Sequence, residues 1–144
     1  MEHPADVVEE AVEALEPVVM RRGGALRARV NPDAPRIPLD RDRVRQVLAN
    51  LVGNANKVGA SEISIGAELR GADLVFWVAD NGPGIPPADL PRMFDRYFRR
   101  QGTEYKGSGL GLPISNGIVR AHGGRMWIES TVGIGSTFYF SIPR

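Results

Sequence analysis

Hydrophobic positions along the chain change their period several times, and each change marks an element. From Pro4 to Arg22, Val7, Val8, Ala11, Ala14, Leu15, Val18 and Val19 recur at helical spacing. Pro4 suits a first turn, Asp6, Glu9 and Glu10 suit the N-terminal dipole, and Arg21 and Arg22 suit the C-terminal end. Pro17 predicts a kink or a split, and Gly23-Gly24 a stop. Ala25 to Val30 alternates apolar residues with arginine, the pattern of a half-exposed strand. Asn31 to Pro38 carries three prolines and reads as a connection. A second amphipathic helix runs from Asp40, its cap, to Val58, with Val44, Val47, Leu48, Leu51, Val52, Ala55 and Val58 on one broad face. Gln46, Asn50, Asn54 and Lys57 form a separate stripe about 120° from the centre of that face.

Downstream the period shortens. Ile63, Ile65, Ala67 and Leu69 alternate with polar residues, predicting a strand with one buried face. Leu74–Ala79 is continuously apolar, predicting a central strand buried on both faces. Pro87 to Phe98 reads as a short helix anchored by Leu90, Met93, Phe94 and Phe98, and 99–107 as a polar loop. Leu112–His122 is a further amphipathic helix between Pro113 and Gly123-Gly124. Arg125–Ser130 and Ser136–Ile142 read as a hairpin turning at Gly133–Gly135. About five strands and three or four helices predict a single α/β domain over residues 1–144. The expected fold is a two-layer sandwich, with a mixed five-stranded sheet covered on one face by about three helices.

Composition narrows the functions available. With 144 residues and 42% hydrophobic content, the chain is expected to bury a sizeable core. Eighteen basic and 17 acidic residues give a net charge of +1, which offers no electrostatic case for nucleic acid or an anionic membrane. Cysteine is absent, which excludes disulfides, a thiolate nucleophile and a zinc–thiolate site. His3 and His122 are the only imidazoles, too few for a histidine-rich metal site. No apolar run approaches the ~20 residues that span a bilayer. The expected setting is cytoplasmic, with any membrane anchor left to a longer parent chain.

Several nucleotide and hydrolase motifs are missing. There is no GxxxxGK[ST] loop, the GxGxG at Gly107–Gly111 continues with Leu112 instead of a dinucleotide fingerprint, and no nucleophile elbow occurs. Three groups of residues remain. Asn50, Asn54 and Lys57 offer amide oxygens for a hard cation and an ammonium for phosphate. Asp80 ends the apolar strand, where a carboxylate is costly without partners, and Gly82 and Gly84 follow in a turn that lets a ligand approach the backbone. Gly107, Gly109 and Gly111 precede a helix N-terminus, an anion-favouring arrangement. Taken singly, the stripe reads equally as a solvated face, Asp80 as a turn cap and the glycines as turn chemistry. Together they describe a nucleotide pocket.

These segments resemble the motif boxes of the catalytic, ATP-binding domain of bacterial sensor histidine kinases, part of the ATPase group that includes gyrase, the Hsp90 chaperones and MutL. NLVGNANK (Asn50–Lys57) resembles the N box, and DNGPGIP (Asp80–Pro86) the first glycine box. MFDRYFR (Met93–Arg99) resembles the F box, and GSGLG (Gly107–Gly111) the second glycine box. GIGSTF (Gly133–Phe138) resembles the last, and AHGGRMWIES (Ala121–Ser130) is typical of the kinase branch. The resemblance implies a Bergerat-type ATP site in which Asn54 ligates magnesium with Asn50 in support and Lys57 meets phosphate. Asp80 would accept the adenine amino group, with Gly82, Gly84 and Ile85 around the base and Thr137 contacting the adenine side. Gly107, Ser108, Gly109, Leu110, Gly111 and Leu112 would cradle phosphates, Phe94 and Phe98 would pack the lid base, and Arg99, with Arg96, would stabilise the transferring phosphoryl group.

The implied activity is transfer of the γ-phosphoryl group of Mg–ATP to a histidine on the parent's helical dimerisation domain, and from there to a response regulator. No phosphoacceptor box is present: His3 lies in an entry segment and His122 at a helix C-terminus. The isolated domain is expected to be a monomer, since dimerisation belongs to the missing part. The family often carries an aromatic residue or histidine after the N-box lysine; Val58 stands there, so stacking on the base is lost and modest affinity is expected. The same fold also serves protein-serine kinases of the anti-sigma type, and degenerate nucleotide-binding scaffolds.

Overall fold

The computed structural model describes residues 2–30, 35–95 and 111–143. They form α1 (Pro4–Met20), β1 (Ala25–Val30), α2 (Arg41–Lys57), β2 (Glu62–Arg70), β3 (Asp73–Asp80), a 3-10 turn at Leu90–Arg92, α3 (Gly111–Ala121), β4 (Met126–Thr131) and β5 (Gly135–Pro143). The strands make one sheet in the order β1-β2-β3-β5-β4. β1 and β2 are parallel, which demands a crossover, and α2 supplies it. The remaining pairs are antiparallel, so the sheet is mixed and β3 is its centre.

The three helices bury their stripes on one face of this sheet. Val7, Val8, Ala11 and Val19 from α1, Val44 through Ala55 from α2, and Leu112 and Val119 from α3 join Ile63, Ile65, Phe76, Val78, Phe138 and Phe140 in one core. Phe76 and Phe140 stack with ring centroids 5.0 Å apart, a geometry worth ~0.5–1.5 kcal/mol beyond the area it buries.

Helix α1 is capped by His3, whose Nδ1 accepts the Ala5 N–H at 3.2 Å. Pro17 does not split it: the helix continues to Met20. The proline falls in the last turn, where few further hydrogen bonds depend on the missing N–H. Helix α2 begins where expected, with the Asp40 side chain accepting the Arg43 N–H at 3.2 Å.

Two expectations need correction. The helix predicted from Pro87 is, up to residue 95, only the 3-10 turn at Leu90–Arg92; Pro86, Pro87 and Pro91 remove the amide donors a longer helix needs. Leu90, Met93 and Phe94 still pack against the core as half-buried anchors. Strand β3 is covered by helices on one face and only partly buried on the other, where Val75 is buried and Trp77 and Ala79 are half-buried. Leu74, Phe76 and Val78 face the helices, whereas Val75, Trp77 and Ala79 take the other face by alternation. That face is screened by aromatic rings: Trp77 pairs with Tyr139, and Tyr139 stacks on Trp127 at 5.1 Å. Trp77 lies over Gly66, where any side chain would collide with its indole. No helix among the described residues is long and apolar enough to cross a membrane.

Candidate active site

The end of β3, the open edge of α2 and the β4–β5 hairpin converge. With its apolar stripe buried, α2 turns the half-buried Asn50 and Asn54 and the exposed Lys57 to a second side. Asn50 Nδ2 donates to Ser115 Oγ on α3 at 2.9 Å. Gln46 stands apart from this set, exposed and accepting from Arg43 at 3.2 Å. Among the described residues, no cluster of three or more His, Cys, Asp or Glu is arranged to hold a metal ion. The amide oxygens of the α2 edge are hard donors of the class that suits magnesium, and Lys57 on the same edge suits the phosphates that complete such a shell.

Asp80 ends β3 with its carboxylate turned back on the following loop. Its Oδ1 accepts the Gly82 N–H at 2.8 Å. Burial pushes its pKa above the ordinary value of 3.8, while the Gly82 and Ser136 backbone N–H groups pull the other way. Gly82 is packed so that an added Cβ would sit 2.9 Å from Asp80 Oδ1 and 3.2 Å from Val58 Cγ2. Val58, the C-cap of α2, therefore lies beside the Asp80 loop.

The loop after Asp80 is held from both sides. Asn81 Oδ1 accepts the Ser61 and Glu62 N–H groups at 2.9 Å each, and its Nδ2 donates to Ser61 Oγ at 2.9 Å. The Ile85 N–H donates to Ser130 Oγ at 2.7 Å, and the Gly133 N–H to the Pro83 carbonyl at 2.8 Å. Ser130 also donates to the Gly135 carbonyl at 3.1 Å and meets Ser136 Oγ at 2.8 Å. With its single proton committed to a carbonyl, Ser130 receives the Ser136 hydroxyl proton. Gly84 has φ +78° and packs on the hairpin backbone, where a Cβ would strike the Thr131 carbonyl and lie 2.7 Å from Val132 Cα.

Asn50, Asn54 and Lys57 share one helix edge, and Asp80 and Gly82 lie at the adjoining strand end. Gly84 and Ile85 form the loop's contact with the hairpin; the Ile85 side chain belongs to the core, with 4% of its surface exposed. Gly111 opens α3 and Leu112 is buried. Arg96, Phe98, Arg99, Gly107, Ser108, Gly109 and Leu110 lie outside the described residues. Thr137 pairs with Ala79 and Glu129 on the face away from the helices. Its neighbour Ser136 pairs with Asp80 and Ser130 and shares their face. The period of β5 carried that signal, because Ser136 is in phase with the buried Phe138, Phe140 and Ile142.

Both histidines hold helix ends. His3 caps α1, and His122 Nδ1 donates to the Ile118 carbonyl at 2.9 Å.

Residues 39–144 match the family model described as histidine kinase-, DNA gyrase B-, and HSP90-like ATPase. The adaptive-response sensory kinase SasA of Synechococcus sp. (strain JA-2-3B'a(2-13)) is 36% identical over 136 residues, covering 92% of this chain and 36% of its own length. The methanogenesis regulatory histidine kinase FilI of Methanothrix harundinacea is 34% identical, covering 96% of this chain and 16% of its own. Among solved structures, full-length ShkA in complex with AMPPNP superposes with a TM-score of 0.88 at 29% identity, over 99% of this chain and 30% of that one. The nucleotide-free catalytic domain of the histidine kinase ThkA gives a TM-score of 0.79 at 30% identity, over 96% of this chain and 92% of that domain. The chain thus spans well under half of the full-length kinases it matches and nearly all of an isolated catalytic domain.

Proposed function

Because the chain belongs to the histidine kinase-, DNA gyrase B- and HSP90-like ATPase family, we propose that it binds Mg–ATP and passes the γ-phosphoryl group to a histidine on a separate helical domain of its parent protein. A response regulator is the proposed next acceptor. The observation that carries the ATP assignment is Asp80: a half-buried carboxylate at the end of the central strand, anchored by the Gly82 N–H and flanked by a loop too close-packed for side chains at 82 and 84. Such a carboxylate accepts the adenine amino group and repels the guanine carbonyl, so one acceptor supplies base selection. Ser136, on the same face, joins Asp80 as an adenine-side group in place of Thr137.

Asn54, with Asn50 in support, is proposed to hold the metal, whose charge offsets that of the phosphates when bound. Lys57 neutralises phosphate oxygens from the same edge. Gly107–Gly111, at the start of α3, is the proposed phosphate cradle, and Arg99 the proposed partner of the charge on the transferring group. Phosphoryl transfer needs little covalent chemistry from the protein, and this inventory of positioning and electrostatic groups suits it. His3 and His122 are engaged as helix-end partners, so the acceptor is sought on another domain.

Calorimetric titration tests the site. ATP is expected to bind at least tenfold more tightly than GTP, and more tightly with magnesium than with EDTA. Equal affinity for the two bases, or no heat at millimolar ATP, refutes the assignment and leaves a scaffold.

A further inference from the structure

Ser115 is a completely buried polar side chain on α3, set between the core residues Leu112 and Val119 on the face that meets α2. A hydroxyl there is unfavourable unless it is hydrogen-bonded. Its partner is Asn50 Nδ2, at 2.9 Å and 65 residues away in sequence. The consequence falls on Asn50. A carboxamide has two unlike ends, a donor and an acceptor, that differ little in size. Giving Nδ2 to Ser115 leaves Oδ1, the other end of the amide, for a partner other than Ser115. Without that bond the amide is free to rotate and offer its NH2 group, which repels a cation.

We propose that Ser115 is a positioning residue that fixes the carboxamide of Asn50 with its oxygen presented to the metal–phosphate edge of α2, so that α3 sets the metal affinity of the nucleotide site. This rests on the reading of Asn50 and Asn54 as the metal edge. It makes a side chain that never touches nucleotide a determinant of how strongly metal and nucleotide bind together. Because α3 opens at Gly111, directly after the glycine-rich segment, the same bond holds the phosphate-proximal helix in register with α2.

The test is metal linkage, measured as AMPPNP affinity in magnesium divided by affinity in EDTA. Ser115→Ala is expected to lower affinity in magnesium about fivefold, the worth of one ordinary hydrogen bond, and to leave affinity in EDTA within about twofold. Ser115→Thr, which keeps the hydroxyl, restores the ratio. In the Asn50→Asp background, where both side-chain oxygens are alike, Ser115→Ala is expected to leave the ratio unchanged. Ser115→Cys keeps the volume and weakens the acceptor, so it carries the same test if the alanine variant does not fold. Equal loss with and without magnesium, or no loss at all, overturns the positioning role. A parent chain whose affinity is the same in magnesium and EDTA overturns the metal-edge reading itself and the proposal with it, an outcome visible before any variant is made.

Discussion

Gly84→Ala and Gly117→Ala add the same methyl group and are expected to act in opposite directions. Gly84 has φ +78°, which costs a residue with a Cβ ~1–2 kcal/mol. The added carbon would strike the Thr131 carbonyl and lie 2.7 Å from Val132 Cα, both backbone atoms that cannot swing aside. The loop must retreat from the hairpin, which strains the Ile85–Ser130 bond at 2.7 Å and the Gly133–Pro83 bond at 2.8 Å. Each is worth ~0.5–1.5 kcal/mol. The expected loss is about 3 kcal/mol, a fall in Tm on the order of 10 °C for a domain of this size. Gly117 lies inside α3 with nothing within 4 Å of an added Cβ, so alanine there is expected to gain about 1 kcal/mol. Urea unfolding followed by far-UV circular dichroism reads both, and ATP titration should show weakened binding only in Gly84→Ala. Shifts of the same sign, or a loss below about 1 kcal/mol in Gly84→Ala, refute the claim that the loop after Asp80 is clamped on the hairpin.

Asp80→Asn exchanges a charged acceptor for a neutral amide and is expected to weaken ATP binding about 10- to 150-fold, the worth of a charge-assisted hydrogen bond. The raised pKa of Asp80 means the nucleotide-free native state holds its proton more tightly than the unfolded chain. Its contribution to stability is therefore full below pH 3.8 and is lost as pH rises from there through the raised native value; urea midpoints measured across that window should lose this fall in Asp80→Asn. Asn56 Oδ1 is buried with no hydrogen-bond partner among the described residues, so Asn56→Leu is expected to stabilise the domain by ~1–3 kcal/mol, read as a higher urea midpoint. Ser130→Ala removes the acceptor of the Ile85 N–H and the partner of Ser136; a loss of ~1–3 kcal/mol in unfolding free energy together with weaker ATP binding is expected, whereas Ser130→Thr should retain most of both.

What could be read in the sequence was whatever local periodicity dictates. The α2 stripe, its Asp40 cap and the five strand segments along the chain rest on spacing within one element, and the structure carries them as expected. The two-sided burial of β3 held only in part, because a run of apolar residues records burial but not what covers it; here rings on β4 and β5 screen the face that no helix reaches. That Ser136 and Thr137 take opposite faces was legible, since strand alternation puts Ser136 in phase with Phe138. Asn56 carried a signal too: four residues beyond Val52, it lies about 40° from it on the helix and flanks the apolar face. The bond between Asn50 and Ser115 was not legible. It joins two helices 65 residues apart, and only their packing brings an amide and a hydroxyl together.

The proposed function is phosphoryl donation by this domain to a histidine on a separate domain. Its most direct test mixes the chain with a separately purified helical domain carrying the acceptor histidine, in magnesium and ATP labelled at the γ-phosphate. The predicted result is a label on the helical domain that is lost in acid, survives alkali and disappears with Asn54→Ala. No label on a folded acceptor, or an acid-stable label on serine, contradicts it.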